Sequence, residues 1–127
     1  MPGEIWTYQA IKPNDGSVKP RPILIIGNDS DNGLQFVDIH YVLISSSAEC
    51  GIYDVEINDE EAIKIGLKSK SVIKTTKIYT GSKTKLGTKI SSLPLNIKSE
   101  FIQKYSAYQE NLLNKFDIMS VSIDNID

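Results

Sequence analysis

The sequence has few of the residues on which metal binding and nucleophilic catalysis usually depend. Its 127 residues include one arginine, one histidine, one cysteine and one tryptophan. A structural zinc site needs about four cysteine or histidine ligands, and a single cysteine, Cys50, cannot form an intramolecular disulfide. A Ser-His-Asp catalytic unit would have to use His40. The composition therefore excludes zinc-finger and disulfide-rich classes, and we expect no metal and no cofactor.

Long apolar segments are also lacking. The chain has no apolar run of about 18 residues, the minimum for a candidate membrane-spanning helix. It begins Met1-Pro2-Gly3-Glu4, without the basic and apolar regions of a secretory signal. A length of 127 residues fits one domain with its own core. We therefore expect a cytoplasmic protein that makes no contact with a membrane.

Charge is unevenly distributed along the chain, although the net charge is only −2. Residues 1–63 carry three basic and eleven acidic groups, a net −8. Residues 64–104 carry ten lysines against one glutamate, a net +9, and residues 105–127 carry one lysine against four acidic groups, a net −3. Such asymmetry indicates either a polyanionic partner or an acidic segment that covers a basic face. Alternatively, the lysines only solvate exposed strand edges and one helix face.

Residue patterns predict several short strands followed by one helix. The segments with the branched and aromatic content or the alternation of strands are 3–11, 23–26, 34–45, 53–57, 71–80 and 88–93. The cluster of proline, glycine and polar residues over 12–20 predicts an irregular loop. Asn32-Gly33 is a turn signal, and Asn58 and Gly66 are the expected caps of a single helical turn.

The C-terminal part predicts a helix over about 97–113, with Asn96 as its N-cap. Its apolar stripe, which we expect to face the core, consists of Phe101, Tyr105, Tyr108 and Leu112. Together these elements predict a mainly β protein, a small and partly open barrel packed against a C-terminal helix. We place this single domain at residues 1–113 and expect residues 114–127 to form an acidic, loosely held tail.

The predicted hairpin of segments 23–28 and 34–45 brings two candidate residues together. If its turn is centred near Gly33, residues whose numbers sum to about 66 face one another. Arg21 then lies opposite Ser45, and a slip of one residue would bring Ser46 or Ile44 there instead. The predicted loop enters the same end of the sheet and brings with it Lys12, Asn14, Asp15, Ser17 and Lys19.

A guanidinium group beside hydroxyl donors and lysines suits a phosphate ligand. Arginine hydrogen-bonds two phosphate oxygens at once and stabilises the charge that builds during in-line displacement. It is a poor general base, because its pKa above about 12 keeps it protonated. The structural alternative is that Arg21, held between Pro20 and Pro22, forms an ion pair with an acidic neighbour.

The order and spacing of these motifs resemble those of MazF/PemK-like toxins. Gly3-Glu4-Ile5-Trp6, then Gly16-Ser17, then Arg21-Pro22 with an apolar strand ending in Asn28-Asp29 resemble the family's G-D-I, G-S and R-P to N-D elements. The resemblance covers about residues 3–110. It continues through the segments 54–57, 66–67, 71–73, 77–80, 85–87 and 89–93.

The resemblance implies a homodimeric, SH3-like barrel of the MazF/CcdB-like fold. It implies cleavage of single-stranded RNA at short motifs without metal, and silencing by a cognate antitoxin protein. It assigns catalysis to Arg21 and Ser45, with Ser46 as the alternative if the register slips. The implied reaction is attack of the RNA 2′-OH on the adjacent phosphate. The residues expected to bind RNA are Lys12, Asn14, Ser17, Lys19, Thr80, Lys83 and Lys85.

The sequence departs from the family pattern at particular positions. Val18-Lys19-Pro20 is shorter than the usual segment and lacks its acidic residue and glycine, and Tyr79 stands where many members have arginine. No general base is assigned, because the odd spacing from Ser45 puts His40 on the opposite face of the strand. The alternative function is a non-catalytic RNA- or protein-binding module on the same barrel. A gyrase poison is disfavoured, because residues 122–127 are acidic and lack tryptophan.

Overall fold

The computed structural model of the chain describes residues 1–11 and 18–124. Its elements in chain order are the strands β1 (Glu4–Ile11), β2 (Val18–Asn28), β3 (Asp38–Ser45) and β4 (Val55–Ile57), helix α1 (Asp59–Ile65), strands β5 (Ser71–Ser82) and β6 (Leu86–Ser92), and helix α2 (Leu95–Asp124). Short 3₁₀ turns at Asp29–Asn32 and Lys83–Lys85 follow β2 and β5. Among the helices in these ranges, none is long and apolar enough to cross a membrane.

All six strands form one antiparallel sheet in the order β4-β5-β3-β2-β1-β6. The β2–β3 register pairs Ile23 with Leu43 and Ile25 with Tyr41. This is the register predicted from the turn at Gly33, and it is confirmed over the middle of the hairpin. Nearer the turn, an irregularity after Ile25 shifts the pairing by one residue.

The two edges of the sheet approach each other through α1. This helix follows the edge strand β4, yet Gly66 at its C-terminus lies against Ile90 of β6, the strand at the other edge. The side-chain amide of Asn96 also donates a hydrogen bond to Glu61 of α1 at 3.2 Å. The sheet is therefore curled into a partly open barrel. The predicted fold class, mainly β with a C-terminal helix, is confirmed.

Two hydrophobic clusters lie on opposite faces of the central strands. Leu24 and Val42 belong to the larger cluster, whereas their neighbours in sequence, Ile23, Ile25 and Tyr41, belong to the smaller one. Successive side chains of a strand point to opposite faces, so β2 and β3 are buried on both sides. This explains why residues 23–26 are a continuous apolar run rather than an alternating one. The larger cluster is completed by apolar side chains of β4, α1, β5 and α2.

The bounds of several strands differ from the prediction. β2 already begins at Val18, so that Pro20 and Pro22 lie inside a strand, where they pair with Gln9 and Thr7 of β1. Proline lacks a backbone N–H and is tolerated where one side of a strand has no partner. That condition holds here, because the β2–β3 pairing begins only at Ile23. The remainder of the predicted loop, residues 12–17, lies outside the described residues.

Helix α2 differs from the prediction at both ends. It begins at Leu95, so Asn96 lies in its first turn and is not the N-cap. It continues to Asp124, so the expected tail is helical up to that residue. The physical reason is that residues 95–124 contain no proline or glycine that would end a helix. Phe101, in the first half of the helix, is buried, whereas Phe116 is 73% exposed.

Candidate functional site

Arg21 lies in the part of β2 that extends beyond β3. Its Cα partner is Tyr8 of β1, and the pairing of β2 with β3 ends towards this side at Ile23 with Leu43. Continuing this register by two residues places Arg21 opposite Ser45, the last residue of β3. Arg21 is exposed, and within residues 1–11 and 18–124 it forms no ion pair. In these ranges, therefore, Arg21 lacks the acidic neighbour with which the alternative interpretation would pair it.

A cleft of about 650 Å³ joins Arg21 to the serine run, which consists of Ser45, Ser46 and Ser47. Its walls come from the start of β2, the end of β3 with the residues after it, and the loop that follows α1. The residues with functional groups that line it are Thr7, Lys19, Arg21, Ser45, Ser46, Ser47, Lys68, Ser69 and Ser71. In the described part of the chain these include three cations and no carboxylate. The field of the cleft therefore attracts anions.

The turn after β3 positions the Ser45 hydroxyl group. Ser45 is half-buried, and its Oγ accepts hydrogen bonds from the backbone N–H of Ser47 at 3.3 Å and of Ala48 at 3.2 Å. Both bonds use lone pairs of the oxygen, so its proton remains available for donation. The following residue, Ser46, is exposed. Arg21 and Ser45 together therefore offer N–H and O–H donors to one anionic ligand.

The loop after α1 forms the third wall of the cleft. Gly66 has φ +104° and ends the helix in a left-handed conformation, with its N–H bonded to Ile63 O at 3.1 Å. The N–H of Leu67 bonds to Ala62 O at 2.8 Å, which completes a Schellman-type cap. Leu67 is buried, and Lys68 beside it lines the cleft. Lys68 was not predicted from the sequence. Gly66 indicates where the helix ends, but it does not indicate which part of the protein the following loop contacts.

The predicted RNA-binding residues are divided between two places. Lys19 lines the cleft, whereas Thr80, Lys83 and Lys85 do not. The register of β3 explains this separation: Ser45 pairs with Val72 at one end of the strand, and residues 38 and 40 pair with residues 82 and 80 towards the other end. The remaining three, Lys12, Asn14 and Ser17, lie outside the described residues. That Thr80, Lys83 and Lys85 contact RNA stays a prediction. Any such contact would lie outside this cleft.

His40 does not line the cleft. Its Nδ1 is 3.0 Å from Thr80 Oγ1. Across the described ranges, no group of three or more histidine, cysteine, aspartate and glutamate residues is placed to hold a metal ion. His40 is thus not among the residues that surround Arg21 in the cleft.

Three tyrosines, one each from β1, β3 and β5, are in contact through their rings. The Tyr8 and Tyr41 ring centroids are 4.8 Å apart, and Tyr41 stacks on Tyr79 at 5.7 Å. Burial, together with the neighbouring phenol of Tyr8, raises the pKa of Tyr41 to about 12. The Tyr41 phenol therefore remains protonated at neutral pH and is not a base. Tyr79, which replaces the family's arginine, is 42% exposed.

A buried ion pair holds the loop between β3 and β4, which starts with the serine run. Lys74 Nζ lies 2.6 Å from Asp54 Oδ2 and also donates to Glu49 O at 2.9 Å. Asp54 additionally accepts from the N–H groups of Gly51 at 2.8 Å and Thr75 at 3.1 Å. Burial by itself raises the pKa of Asp54, but these hydrogen bonds outweigh it, so the pKa lies below its ordinary value. The carboxylate thus anchors the loop to β5.

These features define a class of protein: a small, curled antiparallel barrel with a C-terminal helix and a cationic, hydroxyl-lined cleft at one end. The chain belongs to the family of PemK-like, MazF-like toxins of type II toxin-antitoxin systems, whose sequence model matches residues 1–103. The resemblance predicted from the motifs is therefore confirmed. No curated protein sequence matches the chain significantly.

Solved structures share the fold at low sequence identity. Toxin MazF-mt6 of Mycobacterium tuberculosis is 17% identical, with a TM-score of 0.65, and the match covers 84% of this chain and 96% of that one. An endoribonuclease in complex with its cognate antitoxin, from a mycobacterial species, is 14% identical with a TM-score of 0.62, covering 84% and 91%. An endoribonuclease from a mycobacterial species has 14% identity and a TM-score of 0.60, covering 84% and 88%. At these identities the similarity shows the fold alone.

Proposed function

We propose that this protein is a metal-independent endoribonuclease that cleaves single-stranded RNA and is neutralised by a cognate antitoxin. The observation that carries the proposal is the cleft that the sole arginine, Arg21, lines together with Ser45, with two lysines on its walls and no carboxylate among the described lining residues. Family membership supports it. Two proteins of the same fold are named endoribonucleases, one of them bound to its antitoxin. As the family resemblance implies, we propose a cytoplasmic homodimer.

The proposed reaction is an in-line transesterification. The 2′-OH attacks the adjacent phosphorus, the bond from phosphorus to O5′ breaks, and the products carry a 2′,3′-cyclic phosphate and a 5′-OH. Arg21 donates two N–H groups to the non-bridging oxygens and stabilises the charge that accumulates on them. Ser45 donates its O–H to the same phosphate, or Ser46 does so in its place. Solvent water takes the proton of the 2′-OH and supplies the proton that O5′ acquires.

The nucleophile determines the class of nucleic acid that is cleaved. DNA lacks the 2′-OH group. The cleft can therefore bind DNA phosphates, but DNA has no nucleophile that attacks them. Double-stranded RNA is a poor substrate, because in-line attack needs a backbone free to rotate out of the helical conformation. Single-stranded RNA is therefore the proposed substrate.

Cleavage of a mixed-sequence RNA in the presence of EDTA tests this function. We expect the wild-type protein to release fragments with 5′-OH ends, which are detected by direct kinase labelling. Arg21→Ala should reduce the rate about 10²- to 10³-fold, the usual cost of removing one donor that stabilises a developing oxyanion. Ser45→Ala should reduce kcat more than it changes KM.

Two controls accompany this experiment. Lys77→Ala removes an exposed cation that does not line the cleft, and we expect it to cleave as the wild type does. Arg21→Lys keeps the charge but loses the planar fork, so it should recover only part of the activity. Full activity in Arg21→Ala would contradict the mechanism. Salt-dependent RNA binding without cleavage by the wild type would support the non-catalytic binding module instead.

A further inference from the structure

The loop after α1 brings to the cleft a cation that no sequence motif indicated. We propose that Lys68 binds a phosphate of the RNA strand that neighbours the phosphate held by Arg21. The substrate site would then have two cationic walls, one on β2 and one on the loop 66–70. The identity of the anion as RNA rests on the proposed function, whereas the presence of an anion-binding site at Lys68 does not.

Hydrogen bonds hold this loop at both ends, so Lys68 is presented on an ordered turn. On one side, the Schellman-type cap at Gly66 and the burial of Leu67 fix the exit from α1. On the other side, the Lys70 N–H donates to Asp59 Oδ1 at 2.7 Å, and the Ser71 hydroxyl group donates to Ser69 O at 2.9 Å. A side chain on a pre-ordered loop loses less conformational freedom when it binds a ligand.

Two lysines near Lys68 in the sequence are paired with carboxylates. Lys64 pairs with Glu60 at 3.4 Å, and Lys70 pairs with Glu56 at 2.7 Å. Across the described ranges Lys68 has no carboxylate partner. A lysine paired with a carboxylate presents a dipole, whose field falls off more steeply with distance than the field of a single charge. Of these three lysines, Lys68 is therefore the one whose full charge acts on an incoming polyanion.

The arrangement of the three cations suits a strand with several phosphates rather than one isolated anion. Lys19 and Arg21 are two positions apart on β2, which is about 7 Å along a strand. Lys68 comes from a separate segment that lines the same cleft. Cations from two walls along one cleft match a backbone with regularly repeated charges.

The salt dependence of binding to an uncleavable strand tests the site. The probe is a fully 2′-O-methylated, mixed-sequence, single-stranded RNA, whose affinity is measured by fluorescence anisotropy at several salt concentrations. We expect Lys68→Gln to reduce the slope of log K against log salt by about 0.7, the value for one phosphate contact on a single strand. Lys68→Arg should restore the slope. The matched control is Lys70→Gln, which should keep the wild-type slope. Equal slopes for Lys68→Gln and Lys70→Gln would overturn the proposal.

Kinetics on cleavable RNA separate this proposal from the proposed function. A contact to a phosphate other than the reacting one should raise KM in Lys68→Gln and leave kcat unchanged, whereas Arg21→Ala lowers kcat. If the protein cleaves RNA and Lys68→Gln changes neither KM nor the slope, Lys68 is rejected and the nuclease stands. If Lys68→Gln lowers the slope but no variant cleaves RNA, the anion site stands and the nuclease is rejected.

Discussion

Asp54 shows how one residue supports the cleft from outside it. Its carboxylate is only 5% exposed, and it ties the loop that starts with the serine run to Lys74 and Thr75 of β5. Because its pKa in the folded protein lies below the ordinary value of 3.8, folding favours the charged form. A group with a lowered folded pKa contributes stability above its unfolded pKa, and that stability is lost as the pH falls through the folded pKa.

We expect Asp54→Asn to lower the free energy of unfolding by about 3 kcal/mol at neutral pH, because Lys74 is left in a mostly buried place without its counter-charge. The difference from the wild type should shrink as the pH falls below the ordinary value of 3.8, since the wild type then loses the same charge. Urea unfolding at neutral and acidic pH measures both effects. As a control, Glu56→Gln removes the exposed partner of Lys70 and should cost less than about 1 kcal/mol. Equal stability of Asp54→Asn and the wild type at neutral pH would show that the ion pair with Lys74 does not stabilise the fold.

At the scale of elements, α1 joins the two edges of the sheet and shapes one wall of the cleft. Gly66 ends the helix at φ +104°, a conformation that side chains with a Cβ rarely adopt. A Cβ at this position would lie 3.0 Å from Ile90 Cγ2 of β6. The glycine is therefore required both by the backbone turn and by the close approach of the opposite edge of the sheet.

We expect Gly66→Ala to destabilise the protein by about 2 kcal/mol, because it adds a contact with Ile90 to the usual cost of about 1 kcal/mol for a left-handed residue with a Cβ. Gly33→Ala is the matched control, since Gly33 has φ +72° and nothing within 4 Å of its added Cβ. Gly33→Ala should lower the free energy of unfolding only by the cost of the left-handed backbone conformation, about 1 kcal/mol. Urea unfolding curves give both values. A cost in Gly66→Ala no larger than that in Gly33→Ala would show that the contact with β6 is unimportant.

At the scale of the whole molecule, acidic and basic residues that are separated along the chain lie close together in the fold. Acidic residues of the segment 1–63 pair with lysines of the segment 64–104 at Glu60–Lys64, Glu56–Lys70, Asp54–Lys74 and Glu4–Lys89. Part of the asymmetry therefore serves contacts within the fold. Within residues 1–11 and 18–124, the cations that line the cleft are not among these pairs.

Deleting residues 117–127 tests how net charge affects this attraction. The segment carries Asp117, Asp124 and Asp127 and no basic residue, so its removal changes the net charge from −2 to +1. We expect RNA affinity to rise at low salt and to remain unchanged at high salt, where such long-range forces are screened. Replacing the three aspartates by asparagine should have the same effect without shortening α2. An affinity that does not change at low salt would remove any electrostatic role of this segment.

Local patterns in the sequence determined much of the fold. Branched and aromatic content or alternation located the strands, and the caps Asn58 and Gly66 located α1. The turn at Gly33 determined the β2–β3 register, and with it the expectation that Arg21 and Ser45 meet at one end of the sheet. These predictions succeed because the register of a hairpin depends on a turn and on neighbouring side chains, all close together in the chain.

Only the tertiary structure decided which other residues join Arg21. Lys68 lines the cleft because the sheet curls until α1 meets β6, a contact between segments distant in sequence. Thr80 lies away from the cleft because it pairs with His40, towards the opposite end of β3 from Ser45. The Asp54–Lys74 pair likewise joins a loop to a strand that follows an intervening helix. Sequence patterns specify short-range geometry, whereas the curvature of the whole sheet depends on how all its side chains pack, and that curvature determines the composition of the site.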